Sequence, residues 1–163
     1  MKYLISDTHF NHLNIIKYCN RPFKTVEEMN EFIIQKWNDT ISNDDTVYFL
    51  GDFCLGNREK VIELGRRLNG HKILILGNHD RVTKTAFIDA GFEEIYVKPT
   101  LFDFNGSKLL LSHAPVYDTE YNNVCGHVHD ANINDKNHFC VCVEQINYTP
   151  IEVEKVLEYF EKQ

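Results

Sequence analysis

The stretch Lys72-Ile73-Leu74-Ile75-Leu76-Gly77-Asn78-His79-Asp80 joins a short apolar run to a glycine and three polar residues. A short apolar run bounded by a turn signal is typical of a buried strand, and glycine permits a sharp exit from it. The same arrangement occurs where Tyr3–Ser6 runs into Asp7-Thr8-His9 and where Thr46–Leu50 runs into Gly51-Asp52. Polar side chains are therefore predicted at the ends of several strands.

Two more segments follow this pattern in the second half of the chain. Lys108–Ser112 ends at His113, and Gly126 precedes His127 and His129. In open α/β sheets, ligand sites lie beyond the carboxyl ends of the strands, so these distant side chains can converge. Imidazole nitrogen combined with carboxylate and amide oxygen suits Zn, Mn, Fe or Ni better than Ca. The pattern predicts a site for divalent metal ions.

Helical patterns separate the strands of the first half. Thr25 and Glu28 form a capping-box signature before the predicted helix Val26–Thr40. Glu59–Leu68 and Thr83–Ala90 are predicted as further helices. Strands that alternate with helices favour a parallel sheet.

The second half is predicted to be rich in strands that pair locally and antiparallel. Asn105-Gly106 between apolar runs indicates a hairpin. Thr149 is expected to cap a final helix that reaches Lys162. The predicted fold class is therefore α/β (α+β), with two sheets packed together and helices outside. The predicted strands are Ile95–Val97, Leu101–Phe104, Lys108–Ser112, Phe139–Val143 and Gln145–Tyr148.

Composition predicts one compact domain over residues 1–163. The chain is 43% hydrophobic and contains neither a signal-peptide pattern nor a membrane-length apolar run, which predicts a cytoplasmic protein without a membrane partner. Five scattered cysteines are expected to be reduced thiols, with Cys140 and Cys142 in the core. A formal charge of −7 disfavours broad attraction to a polyanion such as nucleic acid.

Five short motifs span residues 7 to 129: Asp7-x-His9, Gly51-Asp52, Gly77-Asn78-His79-Asp80, His113 and Gly126-His127-x-His129. Their types and order resemble those of the calcineurin-like metallophosphoesterases, in particular the small, capless prokaryotic or phage-type members. The resemblance implies a four-layer αββα sandwich with two mixed β-sheets. The segment after Asp52 lacks an acidic residue often seen in the larger phosphatases, so their substrate preference is not carried over.

The resemblance also implies the role of each motif residue. One divalent metal ion would be bound by Asp7, His9, Asp52 and His129, and a second by Asp52, Asn78, His113 and His127, with Asp52 as the bridge. His79 matches the histidine that faces the leaving group, and Asp80 matches the carboxylate that orients it. Manganese is the expected metal, with zinc, iron or nickel as alternatives.

The predicted activity is hydrolysis of phosphodiester or phosphomonoester bonds in a small phosphorylated or nucleotide substrate. A metal-bridging hydroxide would attack the phosphorus, and His79 would protonate the departing alkoxide. His12 and Arg81 are candidate substrate contacts, whereas Arg21 and Arg58 are assigned to solvent-exposed loops. Two alternatives stay open: a nuclease acting on single-stranded nucleic acid, and a non-catalytic binding scaffold that keeps the fold.

Overall fold

The computed structural model describes residues 1–163 and contains two β-sheets that pack face to face. In the first sheet, three neighbouring pairs are parallel and the edge pair is antiparallel. In the second sheet, one pair is antiparallel and two are parallel. The first sheet has the order β4 (Phe92–Tyr96), β3 (His71–Ile75), β2 (Thr46–Phe49), β1 (Lys2–Ile5), β9 (Ile151–Glu152), and the second has the order β5 (Thr100–Phe104), β6 (Ser107–Leu111), β7 (Asn122–Cys125), β8 (His138–Cys140).

Five helices accompany the sheets. The predicted helix Val26–Thr40 is confirmed, and the Thr25 side chain accepts a hydrogen bond from the Glu28 backbone N–H, as the capping signature predicts. None of the helices combines the length and hydrophobicity that a membrane-spanning helix requires. Their bounds are α1 Leu13–Tyr18, α2 Val26–Thr40, α3 Arg58–Gly65, α4 Lys84–Asp89 and α5 Val153–Glu161.

Alternating side chains of the first sheet divide the core into two clusters. In β1, Tyr3 and Ile5 pack with residues of α1 to α4, whereas Leu4 points into the space between the sheets. The second sheet contributes Leu109 and Val124 to that inner cluster. The two mixed sheets with helices outside are thus confirmed as the fold class, and α5 packs Val153 and Val156 into that inner cluster.

A parallel link between the sheets aligns the ends of their strands. The Ser6 backbone N–H donates to the Val141 carbonyl at 2.9 Å, and the Val143 N–H donates back to the Ser6 carbonyl at 3.2 Å. The chain leaving β1 therefore runs parallel to the chain leaving β8, which is itself parallel to β6 and β7. The carboxyl ends of both sheets consequently open onto one edge, as a site there requires.

Three local predictions are wrong. Gln145–Tyr148 is a series of turns rather than a strand, because Asn147 and Tyr148 adopt positive φ angles of 51° and 56°. Ile151 and Glu152 pair with β1, so α5 begins at Val153, and Thr149 does not cap it. The second sheet is mainly parallel, not mainly antiparallel.

The hairpin prediction is confirmed. Asn105 and Gly106 connect β5 to β6 with positive φ angles of 56° and 94°, the combination that a tight two-residue hairpin turn requires. The predicted strand Ile95–Val97 corresponds to β4, but that strand joins the first sheet by pairing with β3. The turn that follows β4 therefore lies at the junction of the two sheets.

Candidate metal centre

The side chains that follow the strands meet at the shared carboxyl edge, with Asp52 at their centre. The distance from His9 Nε2 to Asp52 Oδ2 is 3.4 Å, and that from His113 Nε2 to the same oxygen is 3.5 Å. Asp7 Oδ1 lies 3.6 Å from His9 Nε2. Asp7, His9 and Asp52 form one group of closely spaced ligand atoms, and Asp52, His113 and His127 form another. Asp52 belongs to both groups.

The remaining predicted ligands lie at the rim of these two groups. Asn78 Oδ1 is 2.8 Å from His113 Nε2, and His127 Nδ1 is 3.2 Å from that same nitrogen. His129 Nε2 lies 3.8 Å from Asp7 Oδ1. The structure thus brings all seven predicted ligands into one cluster.

Two buried ligand atoms in this cluster have no hydrogen-bond partner. They are Asp7 Oδ1 and His9 Nε2, on side chains that are almost completely buried. Burial alone would raise the pKa of Asp7, but the nearby imidazoles of His9, His113 and His129 hold that pKa below its usual range. Because an unpaired buried polar atom is costly, an ionised carboxylate oxygen beside a free imidazole nitrogen fits a bound cation.

The backbone at the cluster is held in a conformation that non-glycine residues rarely adopt. The φ angles of Asp7, His9 and Asp52 are 58°, 48° and 59°, and those of His127 and His129 are 72° and 51°. Such left-handed residues cost of order 1–3 kcal/mol each and concentrate at functional sites. Five of the seven predicted ligands share this feature.

Glycines let the backbone approach the two carboxylates closely. A Cβ atom at Gly77 would overlap Asp52 Oδ1, and one at Gly126 would overlap Asp7 Oδ2. With glycine at both positions, Asp52 Oδ1 accepts a hydrogen bond from the His79 N–H, and Asp7 Oδ2 accepts one from the His127 N–H, both at 2.8 Å. Each carboxylate is thereby fixed through one oxygen, while the other oxygen faces the cluster.

Hydrogen bonds on the far side of two imidazoles orient them towards the cluster. His113 Nδ1 lies 2.8 Å from the Leu50 carbonyl oxygen, and His129 Nδ1 lies 3.1 Å from Glu144 Oε1. An acceptor at Nδ1 favours the tautomer that carries its proton there and leaves Nε2 available to bind a metal. Glu144 is a functional residue that the sequence analysis missed.

Arg21 was assigned to a solvent-exposed loop, and that assignment is wrong. Its guanidinium is buried and donates to the Asp7 carbonyl at 2.7 Å, the Thr8 carbonyl at 2.8 Å and Glu144 Oε1 at 2.9 Å. Burial raises the pKa of Glu144, but His129 and Arg21 lower it by more. The net pKa is therefore below its usual value, and the carboxylate stays ionised. Arg21 therefore supports both the strained turn after β1 and the carboxylate that orients His129.

His79 and Asp80 lie beside Asp52 but contact it differently. The His79 ring centroid is 5.3 Å from that of His9, at the open side of the cluster. Both Asp80 oxygens accept backbone hydrogen bonds, from the N–H groups of Asp52 and Gly77 at 2.8 Å and of Phe53 at 2.9 Å. Burial raises the pKa of Asp80, although these amide donors act to lower it. Asp80 thus holds the turn that carries Asp52, and its hydrogen bonds go to the main chain rather than to the His79 imidazole.

The two candidate substrate contacts differ in their surroundings. His12 Nδ1 is 3.3 Å from His9 Nδ1, and the His12 ring lies 6.1 Å from that of His79, so His12 borders the cluster. Arg81 is exposed, and its backbone N–H donates to the His79 carbonyl. Cys142 is buried, as predicted for a core residue, but its thiol also donates to Asp7 Oδ2 at 3.3 Å.

A two-sheet α/β fold with imidazole and carboxylate groups clustered at the strand ends defines the metallophosphoesterase class. The family model described as calcineurin-like phosphoesterase matches residues 3–156, and the chain belongs to this family of metal-dependent phosphoester hydrolases. The family model therefore covers nearly the whole length of the chain.

Similar proteins agree with this membership. An uncharacterized protein of Methanocaldococcus jannaschii, MJ1445, is 42% identical over 98% of this chain and 91% of its own length. The Gene 66 protein of Mycobacterium phage L5 is 35% identical over 46% of this chain and 37% of its own.

Two solved structures share the fold. A protein of unknown function from Aquifex aeolicus, AQ665, superposes with a TM-score of 0.79 at 27% identity, covering 97% of this chain and 98% of its own. The Pseudomonas putida nuclease MPE superposes with a TM-score of 0.53 at 22% identity, covering 78% of this chain and 61% of its own. The second likeness concerns the fold alone.

Replacing Arg21 tests its structural role. Arg21→Met leaves the buried Glu144 carboxylate without its cationic partner, and we expect a loss of about 3–5 kcal/mol in the free energy of unfolding. Arg67→Met is the matched control. Arg67 makes a bidentate ion pair with Glu31 at the surface, so this variant should lose only about 0–1 kcal/mol in the free energy of unfolding. Urea unfolding followed by circular dichroism measures both, and equal losses would contradict the assignment.

Proposed function

We propose that this chain is a phosphoester hydrolase with a centre of two divalent metal ions, acting as a single domain over residues 1–163. Asp7, His9, Asp52 and His129 would bind one ion, and Asp52, Asn78, His113 and His127 the other. The observation that carries the proposal is the shared position of Asp52 between two groups of ligand atoms. The substrate in this proposal is a small phosphorylated compound or a nucleotide.

The ligand chemistry supports manganese as the metal, with zinc, iron or nickel as alternatives. When bound, a pair of such cations lowers the pKa of a water molecule and stabilises the charge that develops on phosphoryl oxygens. The protein contributes the geometry: the fixed oxygens of Asp7 and Asp52 and the Nδ1 hydrogen bonds of His113 and His129 orient the ligand atoms before any metal or substrate arrives.

His79 is proposed as the general acid. Its backbone N–H is bound to Asp52 Oδ1, so the imidazole is tethered beside the metal ligands while remaining partly open to solvent. A histidine in this position can protonate the oxygen that leaves the phosphorus. Asp80 would position His79 indirectly, by holding the main chain of the turn through its backbone hydrogen bonds. His12 and Arg81 are proposed as substrate contacts, His12 from the rim of the cluster and Arg81 from solvent.

A nuclease acting on single-stranded nucleic acid is the second candidate. The fold shared with the Pseudomonas putida nuclease MPE favours it, and two-metal chemistry also cleaves nucleic-acid backbones. The formal charge of −7 weakens it, because polynucleotide affinity depends on neutralising many phosphates. A non-catalytic scaffold is disfavoured by the presence of His79 together with all seven ligands.

A metal-reconstituted activity panel tests the proposal as a whole. Metal-free protein would be loaded with manganese, zinc, iron or nickel and assayed on phosphomonoesters, phosphodiesters, cyclic nucleotides and oligonucleotides. We expect turnover of small esters to exceed that of oligonucleotides. A preference for oligonucleotides would instead support the nuclease.

The bridging role of Asp52 predicts a defined metal stoichiometry. We expect the wild-type protein to bind two equivalents of manganese, and Asp52→Asn to lose at least one of them, because an amide lacks the second charged oxygen that bridging requires. Titration calorimetry and elemental analysis after gel filtration measure the bound metal. Asp39→Asn, an exposed substitution of the same kind on α2, should bind two equivalents, and a single equivalent in wild type would refute the shared centre.

The general-acid role of His79 predicts a dependence on the leaving group. His79→Ala should slow hydrolysis of alkyl esters by roughly 10²–10⁴-fold but affect nitrophenyl esters much less, because a good leaving group needs little protonation. Rates at saturating metal on a matched alkyl and nitrophenyl series measure the difference. His71→Ala, at an exposed histidine paired with Glu93, is the control, and equal losses on both ester types would remove His79 from this role.

A further inference from the structure

A cavity of about 300 Å³ opens beside the candidate metal centre. It is lined by the end of β3, by residues 97–99 after β4, and by residues 113–116 after β6. These three segments all leave their strands at the carboxyl edge that carries the predicted ligands. His113 belongs to both the metal ligands and the cavity wall, so the cavity begins where the second ligand group ends.

The cavity wall is mainly apolar. Ile75, Leu76, Val97 and Val116 line it together with two prolines, which restrict the backbone on either side. Val97 is 58% exposed, so an apolar side chain faces solvent at the mouth of the cavity. No aspartate or glutamate lines the wall, and Lys98 is its only lysine or arginine. A phosphate at the metal centre would therefore meet no carboxylate from this side.

The wall suits a compact apolar group of a phosphoester better than a second charged group. Ligand pockets occupy about 300–1,000 Å³, so this cavity lies at the small end of that range and fits one ring system rather than a long chain. A second cavity, of about 270 Å³, lies at the opposite end of β6 against α5, where Ser107 and Lys108 begin the strand. That cavity includes none of the predicted ligands, so only the first can receive a group attached to a bound phosphate.

We infer that the cavity between residues 97–99 and 113–116 binds the base of a nucleoside phosphoester whose phosphate lies at the metal centre. The inference rests on the proposed function and specifies its substrate class. The base packs against Val97, Pro99 and Val116 and loses contact with water, which favours binding in proportion to the apolar area removed. The cavity thereby distinguishes a nucleoside ester from a simple alkyl phosphate.

Two non-hydrolysable probes separate phosphate binding from base binding. One is methylphosphonate, and the other is the analogue of adenosine 5′-phosphate in which a methylene group replaces the ester oxygen. Calorimetric titration of the manganese-loaded protein gives both dissociation constants without turnover. We expect the adenosine analogue to bind at least roughly tenfold more tightly than methylphosphonate, because only the analogue buries a base.

Val97→Glu tests whether the advantage of the adenosine analogue comes from this cavity. A carboxylate at the mouth should remove most of that advantage, measured as the ratio of the two dissociation constants, so that any general effect on phosphonate binding cancels. Ile88→Glu is the matched control, because Ile88 is an apolar residue that is 59% exposed on α4, outside the cavity. Thermal unfolding of both variants checks that each is folded, and Val116→Glu provides a second variant within the wall.

The outcomes distinguish this inference from the function on which it rests. Equal affinity for the two probes, or an unchanged ratio in Val97→Glu and Val116→Glu, would overturn the cavity assignment even if the protein hydrolyses phosphoesters. Absence of hydrolysis with every metal and substrate would overturn the proposed function. In that case a cavity-dependent preference for the adenosine analogue would still identify a nucleotide-binding site.

Discussion

Two buried carboxylates held close to one imidazole form the constraint on which the rest of the site depends. Asp7 and Asp52 are 0% and 2% exposed, and each has an oxygen within 3.6 Å of His9 Nε2. Burying ionised carboxylates is costly unless a cation compensates them. The buried guanidinium of Arg21 donates to the Asp7 carbonyl and not to its carboxylate. A divalent metal ion, as this family of metal-dependent hydrolases binds, would supply that compensation among the surrounding ligand atoms.

The same constraint explains why so many special backbone conformations occur here. Five predicted ligands have positive φ angles, and Gly77 and Gly126 stand where any larger residue would displace a carboxylate. Asp80 adds three backbone hydrogen bonds across the turns before Asp52 and after β3. The local cost of each left-handed residue is therefore offset by a dense hydrogen-bond network, and that network fixes the ligand atoms in advance.

The predictable part of the site is the part that follows from local sequence. Each metal-ligand motif lies directly after an apolar strand or a glycine, so strand ends and residue types sufficed to gather Asp7, Asp52 and His113 at one edge. Arg21 and Glu144 form their ion pair across 123 positions of the chain, and no local pattern encodes that contact. Glu144 does follow the predicted strand Phe139–Val143, so the strand-end rule that identified the ligands would have singled it out as well.

The wrong predictions in the C-terminal part have a common physical cause. Gln145–Tyr148 alternates polar and apolar residues as a strand does, but Ile146 and Tyr148 reach the core from a series of turns, with Tyr148 packed edge-on against Phe23. Those turns reverse the chain after Glu144 has reached His129, so that Ile151 and Glu152 can return beside β1. The long-range contacts of Glu144 and of Ile151 and Glu152 thus prevail over the local preference for a strand.

The distribution of charge links the metal centre to the size of its substrate. The chain carries 24 acidic and 17 basic residues, and the cations proposed for the centre would leave its formal charge negative. Attraction for a phosphate is therefore local to the centre, where the wall of the adjoining cavity contributes Lys98 and no carboxylate. A long polyanion would experience repulsion beyond this region, whereas a single phosphate bearing one compact apolar group would not. Charge and cavity shape thus both favour a small ester.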